Sequence, residues 1–223
     1  MMSFDEIELE ARKLLAAMER NASRIWPNTP PARHFMCDPE AACRYLGLQY
    51  LPDSHLGIYG GTATAGMLDC DNRAVLISSQ QSFESQRFTA AHEVGHWLLH
   101  PGQGNLFRDR ALTSHGGLGR TRVEQEADFF GACFLAPPKL VRLAFAARFP
   151  VREPITNTGV VCFNLSMRNA QYLEGLPAGS LEFAVAVASA ESFNGQYFKS
   201  LAKLFSVSPK AMAIRLRELG LVG

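Results

Sequence analysis

His92-Glu93-Val94-Gly95-His96 constrains this chain more than any other stretch of it. Side chains four residues apart meet only on one face of a helix, with their Cβ atoms roughly 5–6 Å apart. From there two imidazoles can converge on one ion, at the 2.0–2.1 Å or so of a zinc–nitrogen bond. Glu93 stands one position on, about 100° round the helix. It therefore flanks the ion without binding it, where a base for water is needed. Phe88, Val94, Trp97, Leu98 and Leu99 give the same stretch an apolar side to bury. The pattern predicts a buried helix from about Ser82 to Leu99, ended by Pro101-Gly102, with a strand at 74–78 ahead of it.

A catalytic ion needs a third protein donor. The next helical stretch runs from Thr121 and is closed by Pro137-Pro138. In it, Glu124 and Asp128 are also four apart. Glu124 is placed to bind the ion, while Asp128 accepts the outer N–H of a ligand histidine. Ala127 and Gly131 lie along that stripe and are small enough for a close approach to the His92 helix. Glu126 shares its stripe with Phe129, Phe130 and Cys133, a bulkier face, and stays open as the alternative ligand. Thr121-x-x-Glu124 is also a capping box, which would turn the carboxylate toward the helix's own N–H groups.

His100 continues the histidine spacing by one more turn. Positions i, i+4 and i+8 lie along a line and cannot close on one ion. His100 is therefore read as a C-terminal cap favoured by the helix dipole. His115, in the glycine-rich stretch 101–120, is a candidate transition-state stabiliser reaching in from a loop. The cysteines read as buried small hydrophobes, with a thiolate filling the ion's open position in a latent form as the alternative.

Elsewhere, Phe4, Ile7, Ala11, Leu14, Leu15 and Met18 recur at helical spacing over residues 4–20, and Pro27 to Pro31 break that helix. Asp38 as N-cap, Pro39 at the first position and Gly47 after the last turn bound a short helix. Residues 50–78 read as two or three short strands. The runs 159–163 and 181–187 look strand-like. The C-terminus reads as a helix over 196–205, a turn at Ser206-Val207, and a second helix starting at Ser208-Pro209 and ending at Gly220.

The expected fold class is α+β: a helical zinc-peptidase core with a small mixed or antiparallel sheet, plus a C-terminal helix-turn-helix-like unit. The expected domains are an N-terminal helix at 1–30, the metallopeptidase domain at 31–145, and a C-terminal region at 146–223 with the helix-turn-helix-like unit at about 196–223.

Composition narrows the partners. A formal net charge of +1 gives no general pull toward nucleic acid or anionic membrane. No stretch is long and apolar enough to span a bilayer. The first residues are acidic where a secretory signal is basic. Five Cys without a C-x-x-C pair suit reduced thiols. The expectation is a soluble, cytoplasmic protein. A rival reading is a DNA-binding or protein-binding regulator with a non-catalytic metal site, turning Lys210, Arg215 and Arg217 toward phosphates.

The segments Arg87-Phe88-Thr89-Ala90-Ala91-His92-Glu93-Val94-Gly95-His96-Trp97-Leu98-Leu99-His100 and Glu124 to Pro137 together resemble the ImmA/IrrE family of metallopeptidases. The lead-in Asp38 to Leu48 is similar too, as is the ending Leu201 to Leu221. The resemblance implies a compact zinc peptidase in which His92, His96 and a downstream Glu hold the metal. It further implies a substrate, a helix-turn-helix transcriptional repressor cut at a limited site to derepress a stress, mobile-element or phage-defence operon. The family's link to DNA damage makes single-stranded DNA a candidate activating ligand. The chain departs from the usual pattern with Phe130-Gly131 in place of Phe-Ala and Ala136-Pro137 in place of Met-Pro. Neither departure touches the chemistry.

Overall fold

The computed structural model describes residues 2–223 apart from 29, 54, 55, 57, 60, 61, 103–105 and 111–120. The chain forms two compact units, Met1–Leu135 and Ala136–Gly223.

The first unit opens with α1 (Phe4–Arg20) and the single turn α2 (Ala22–Ile25). Ser3 caps α1 through a reciprocal bond with Glu6, and Ile7, Ala11, Leu14 and Met18 form its buried stripe. Next comes α3 (Pro39–Leu46), bounded by Asp38 and by Gly47 in the left-handed region as the sequence predicts. Four strands follow: β1 (Gln49–Asp53), β2 (Ile58–Tyr59), β3 (Thr62–Asp69) and β4 (Ala74–Ser78). Then come α4 (Phe83–Leu99), β5 (Leu106–Arg110) and α5 (Arg122–Leu135). The stretch 101–120, expected to be loop, thus contributes a strand.

The sheet runs β1-β4-β3-β2, with β5 also on β3. Its β1–β4 pair is parallel and its other pairs are antiparallel, so it is mixed. This is the α+β class read from the sequence. α4 packs against β3, β4 and α5, and α5 packs in turn against α1. Two arginines tie this frame together. Arg73 donates to the carbonyls of Leu46 and Gly47 and lies over the Trp97 ring. Arg87 on α4 donates to the carbonyl of Cys37.

The second unit holds α6 (Pro138–Ala146), α7 (Gly159–Leu165), α8 (Ala170–Glu174), α9 (Leu181–Ser189), β6 (Ser192–Phe193), β7 (Gln196–Tyr197), α10 (Leu201–Phe205) and α11 (Pro209–Glu218). Rings of Phe145, Phe149 and Phe193 meet in its interior, and the half-buried Phe198 packs edge-on against Phe149. Both runs read as strand-like, 159–163 and 181–187, are helical. The helix expected from 196 begins at Leu201, because 196–197 belong to the β6–β7 hairpin. Arg215, one of the three cations read as phosphate-facing, is 3% exposed, while Lys210 and Arg217 are exposed. Its guanidinium donates to the carbonyl of Ala136 and to Glu218. Among the described residues, no single helix is long and apolar enough to cross a membrane.

Candidate metal centre

The site is made where α4 and α5 cross. Gly95 permits the crossing: a Cβ there would stand 3.1 Å from the Phe130 ring and 3.3 Å from the Cα and carbonyl of Ala127. Gly131 is looser, because a Cβ there would meet nothing nearer than 3.5 Å. The crossing buries the middle of α4, so His92, Glu93 and His96 are at most 1% exposed.

Three donors converge. The Nε2 atoms of His92 and His96 are 2.9 Å apart. Glu124 brings Oε2 to 3.2 Å from His92 and Oε1 to 3.5 Å from His96. Donors around a tetrahedral ion with bonds of about 2.0–2.1 Å stand about 3.3–3.4 Å apart. The imidazole pair is closer than that spacing and the two carboxylate gaps, measured to different oxygens, lie either side of it, so two imidazoles and a carboxylate are within reach of one divalent ion such as zinc. Glu124 serves cap and cluster with different atoms. Its backbone N–H donates to Thr121 Oγ1 at 3.4 Å, and its carboxylate goes to the histidines. The competition seen in the sequence is thereby resolved.

The charge states suit a metal. Burial opposes ionisation of Glu124, but the two imidazoles beside it outweigh that and hold the carboxyl well below the usual carboxylate range. Burial lowers the pKa of His96 in spite of Glu124. That keeps its ring neutral near pH 7, the form with a lone pair to offer.

Each histidine is held from behind. Asp128 Oδ1 lies 2.9 Å from His92 Nδ1. With Nε2 turned to the cluster, that Nδ1 carries the proton and donates it to Asp128. His100 is the C-cap residue of α4, yet its ring does not serve as an exposed cap. It is buried, with Nδ1 at 3.2 Å from His96 Nδ1 and Nε2 at 3.0 Å from Glu126 Oε2. Glu126 is accordingly not in the donor cluster. Its other oxygen accepts from Arg122 Nε at 3.0 Å. Sequence reasoning missed this arrangement, and the only signal was the shared spacing of His96 and His100. His115 lies outside the described residues.

None of the five cysteines joins the cluster among the described residues. Burial pushes the thiols of Cys37 and Cys43 up to about 12, so both stay protonated rather than metal-binding thiolates.

Residues 57–166 match the family model Peptidase_M78, the IrrE N-terminal-like domain. The stretch that builds this centre is an IrrE N-terminal-like domain. It takes in the whole of α4 and α5, and so every residue of the donor cluster. The family is one of metallopeptidases of the IrrE/ImmA type, which implies a metal, typically zinc. No curated protein matches the chain significantly. Within the IrrE-like domain, Glu93 is fully buried one residue from the first histidine ligand candidate. Burying an ionised carboxyl costs on the order of several kcal/mol, a cost that apolar packing does not require.

Proposed function

We propose that the chain is a zinc-dependent endopeptidase of the gluzincin type that makes a limited cut in a helix-turn-helix transcriptional repressor. The cut would derepress a stress, mobile-element or phage-defence operon. The observation that carries this reading is a buried Glu93 set beside three convergent donors inside an IrrE-like domain.

In this reading His92, His96 and Glu124 hold the ion, and Asp128 orients His92. An ion held there would supply Lewis-acid chemistry, a polarised scissile carbonyl and a water whose pKa falls to about 7. Glu93 takes the proton of the attacking water and passes it to the leaving amine nitrogen. The burial of α4 keeps bulk water from the base. Selectivity comes from docking a folded substrate, since a broad peptidase would harm the cell that makes it. Single-stranded DNA is the proposed activating ligand, the working compartment is the cytoplasm, and no membrane is involved. The rival DNA-binding reading is weakened by Arg215, which is spent inside its own unit.

The test is intact-mass analysis of the repressor encoded beside this gene. It is incubated with wild type or Glu93→Gln, with and without zinc, and with and without single-stranded DNA. One new pair of fragments, seen only with wild type and metal, is the expected result. Metal-independent cleavage, or cleavage that survives Glu93→Gln, would overturn the proposal.

A further inference from the structure

We infer that His100, backed by Glu126, is a positioning residue that sets the tautomer and orientation of the metal-ligand candidate His96. The inference rests on the peptidase reading and adds to it two side chains that bind no ion.

The observation is a buried chain of polar contacts. It runs from His96 Nδ1 to His100 Nδ1 at 3.2 Å, from His100 Nε2 to Glu126 Oε2 at 3.0 Å, and from Glu126 Oε1 to Arg122 Nε at 3.0 Å. Arg122 is anchored in turn by donating to the Met2 carbonyl at 2.9 Å and lying over the Phe4 ring. The side chains of His100 and Glu126 are each only 3% exposed. An apolar pair would fill that space without the desolvation cost of an imidazole and a carboxylate. The polar pair is therefore doing something that packing does not require.

The chain has one consistent direction. Paired with Arg122, the Glu126 carboxylate can only accept. His100 must then carry its proton on Nε2 and donate it to Glu126. That leaves a lone pair on His100 Nδ1, which accepts from the Nδ1–H of His96. His96 Nε2 is thereby bare, and it is the atom that faces His92 and Glu124. Run the other way, the chain would aim an N–H into the donor cluster. One carboxylate, two imidazoles away from His96 Nε2, thus decides whether that atom can bind.

The linear i, i+4, i+8 spacing that rules His100 out as a third ligand is what places it behind the second one. His92 obtains the same service from Asp128 in a single step. The two ligand candidates are thus held by supports of different length, a carboxylate on one side and a histidine relay on the other.

The experiment uses the full chain labelled with ¹⁵N. Long-range proton–nitrogen correlation on metal-free wild type is expected to show His96 protonated at Nδ1 and His100 at Nε2. Zinc affinity is then read by competition with a chromophoric chelator. His100→Phe, which cannot accept, is expected to weaken zinc about 10–100-fold, the usual effect of losing a ligand's hydrogen-bond partner. His100→Gln, which can both accept and donate, is expected to recover most of that loss. A role in packing alone predicts that Phe does at least as well as Gln. His96 protonated at Nε2 in wild type overturns the inference, and that result needs no variant to fold. Wild-type zinc binding left unchanged by His100→Phe overturns it while the peptidase reading stands. Failure of wild type itself to take up zinc overturns both.

Discussion

Two helix pairs, one in each unit, are built alike and filled differently. α4 and α5 cross on small residues, Gly95 and Ala127, and the crossing buries His92, Glu93, His96, His100 and Glu126. α9 and α11 also pack against each other and bury Ala184, Ala188 and Ala213, but their other buried side chains are Phe183, Val187, Met212, Leu216 and the cation Arg215, which donates to the Ala136 carbonyl. Each large apolar side chain of the second pair contributes about 1.5–3 kcal/mol by leaving water. The first pair gives up much of that return to hold five polar side chains. Burial alone does not locate function; polarity kept under burial does.

Substitutions that exchange these characters should separate catalysis from stability. The largest effect is expected from Glu93→Gln, which removes the proposed base but keeps the shape. Repressor cleavage should fall about 10²–10⁴-fold, measured by intact mass over time, while the thermal midpoint holds or rises. Leu216→Ala should do the converse. It should cost about 2–5 kcal/mol of stability in urea unfolding and leave zinc affinity unchanged.

Gly95→Val forces the α4–α5 crossing apart, because its nearest neighbours include the Ala127 backbone. We expect a loss of about 1–3 kcal/mol together with weaker zinc binding, read in one calorimetric titration series. A smaller, graded effect follows from charge. Burial lowers the pKa of His96 from 6.5; burial raises those of Glu124 and Glu126, but the imidazoles beside Glu124, and His100 with Arg122 beside Glu126, outweigh it and bring both below 4.5. In all three cases the unfolded chain takes up protons before the folded one does. Metal-free protein should therefore be fully stabilised above pH 6.5, lose stability as pH falls through the His96 range, and lose more below 4.5. Urea midpoints across that range test it, and Glu126→Gln should flatten the lower part. The smallest effect is a gain. Gly131→Ala meets only ordinary contacts and should stabilise by about 0.5–1 kcal/mol, restoring the Phe-Ala found in the resembling family.

What could be read from the sequence was what local chemistry writes. The caps Asp38 and Gly47, the stripe of α1 and the H-E-x-x-H helix follow from spacing along one element, and so does the placing of Glu124, rather than Glu126, beside the two histidines. α7 and α9 were misread because a short apolar run has no period to tell a buried helix from a strand. For α9 the overlooked signal was Ser180, whose side chain accepts from the Phe183 N–H. The β6–β7 hairpin carried a stronger one, Asn194-Gly195, with both residues at positive φ as a two-residue turn requires. β5 exists only because β3 offers it an edge, and the His100–Glu126 support only because two helices cross. Neither is a property of any single stretch.

The division of the donors between α4 and α5 also sets an order of events during synthesis. His92 and His96 leave the ribosome first, and the third donor lies 28 positions further on, from 96 to 124. At about 5–20 residues per second, the nascent chain spends roughly 1–6 s with two histidines made and no carboxylate to join them. A growing chain in that interval can offer an ion only two of the three donors. On the proposed reading, firm metal capture would wait until α5 had emerged and folded against α4, and the chain would stay uncharged until this unit was complete.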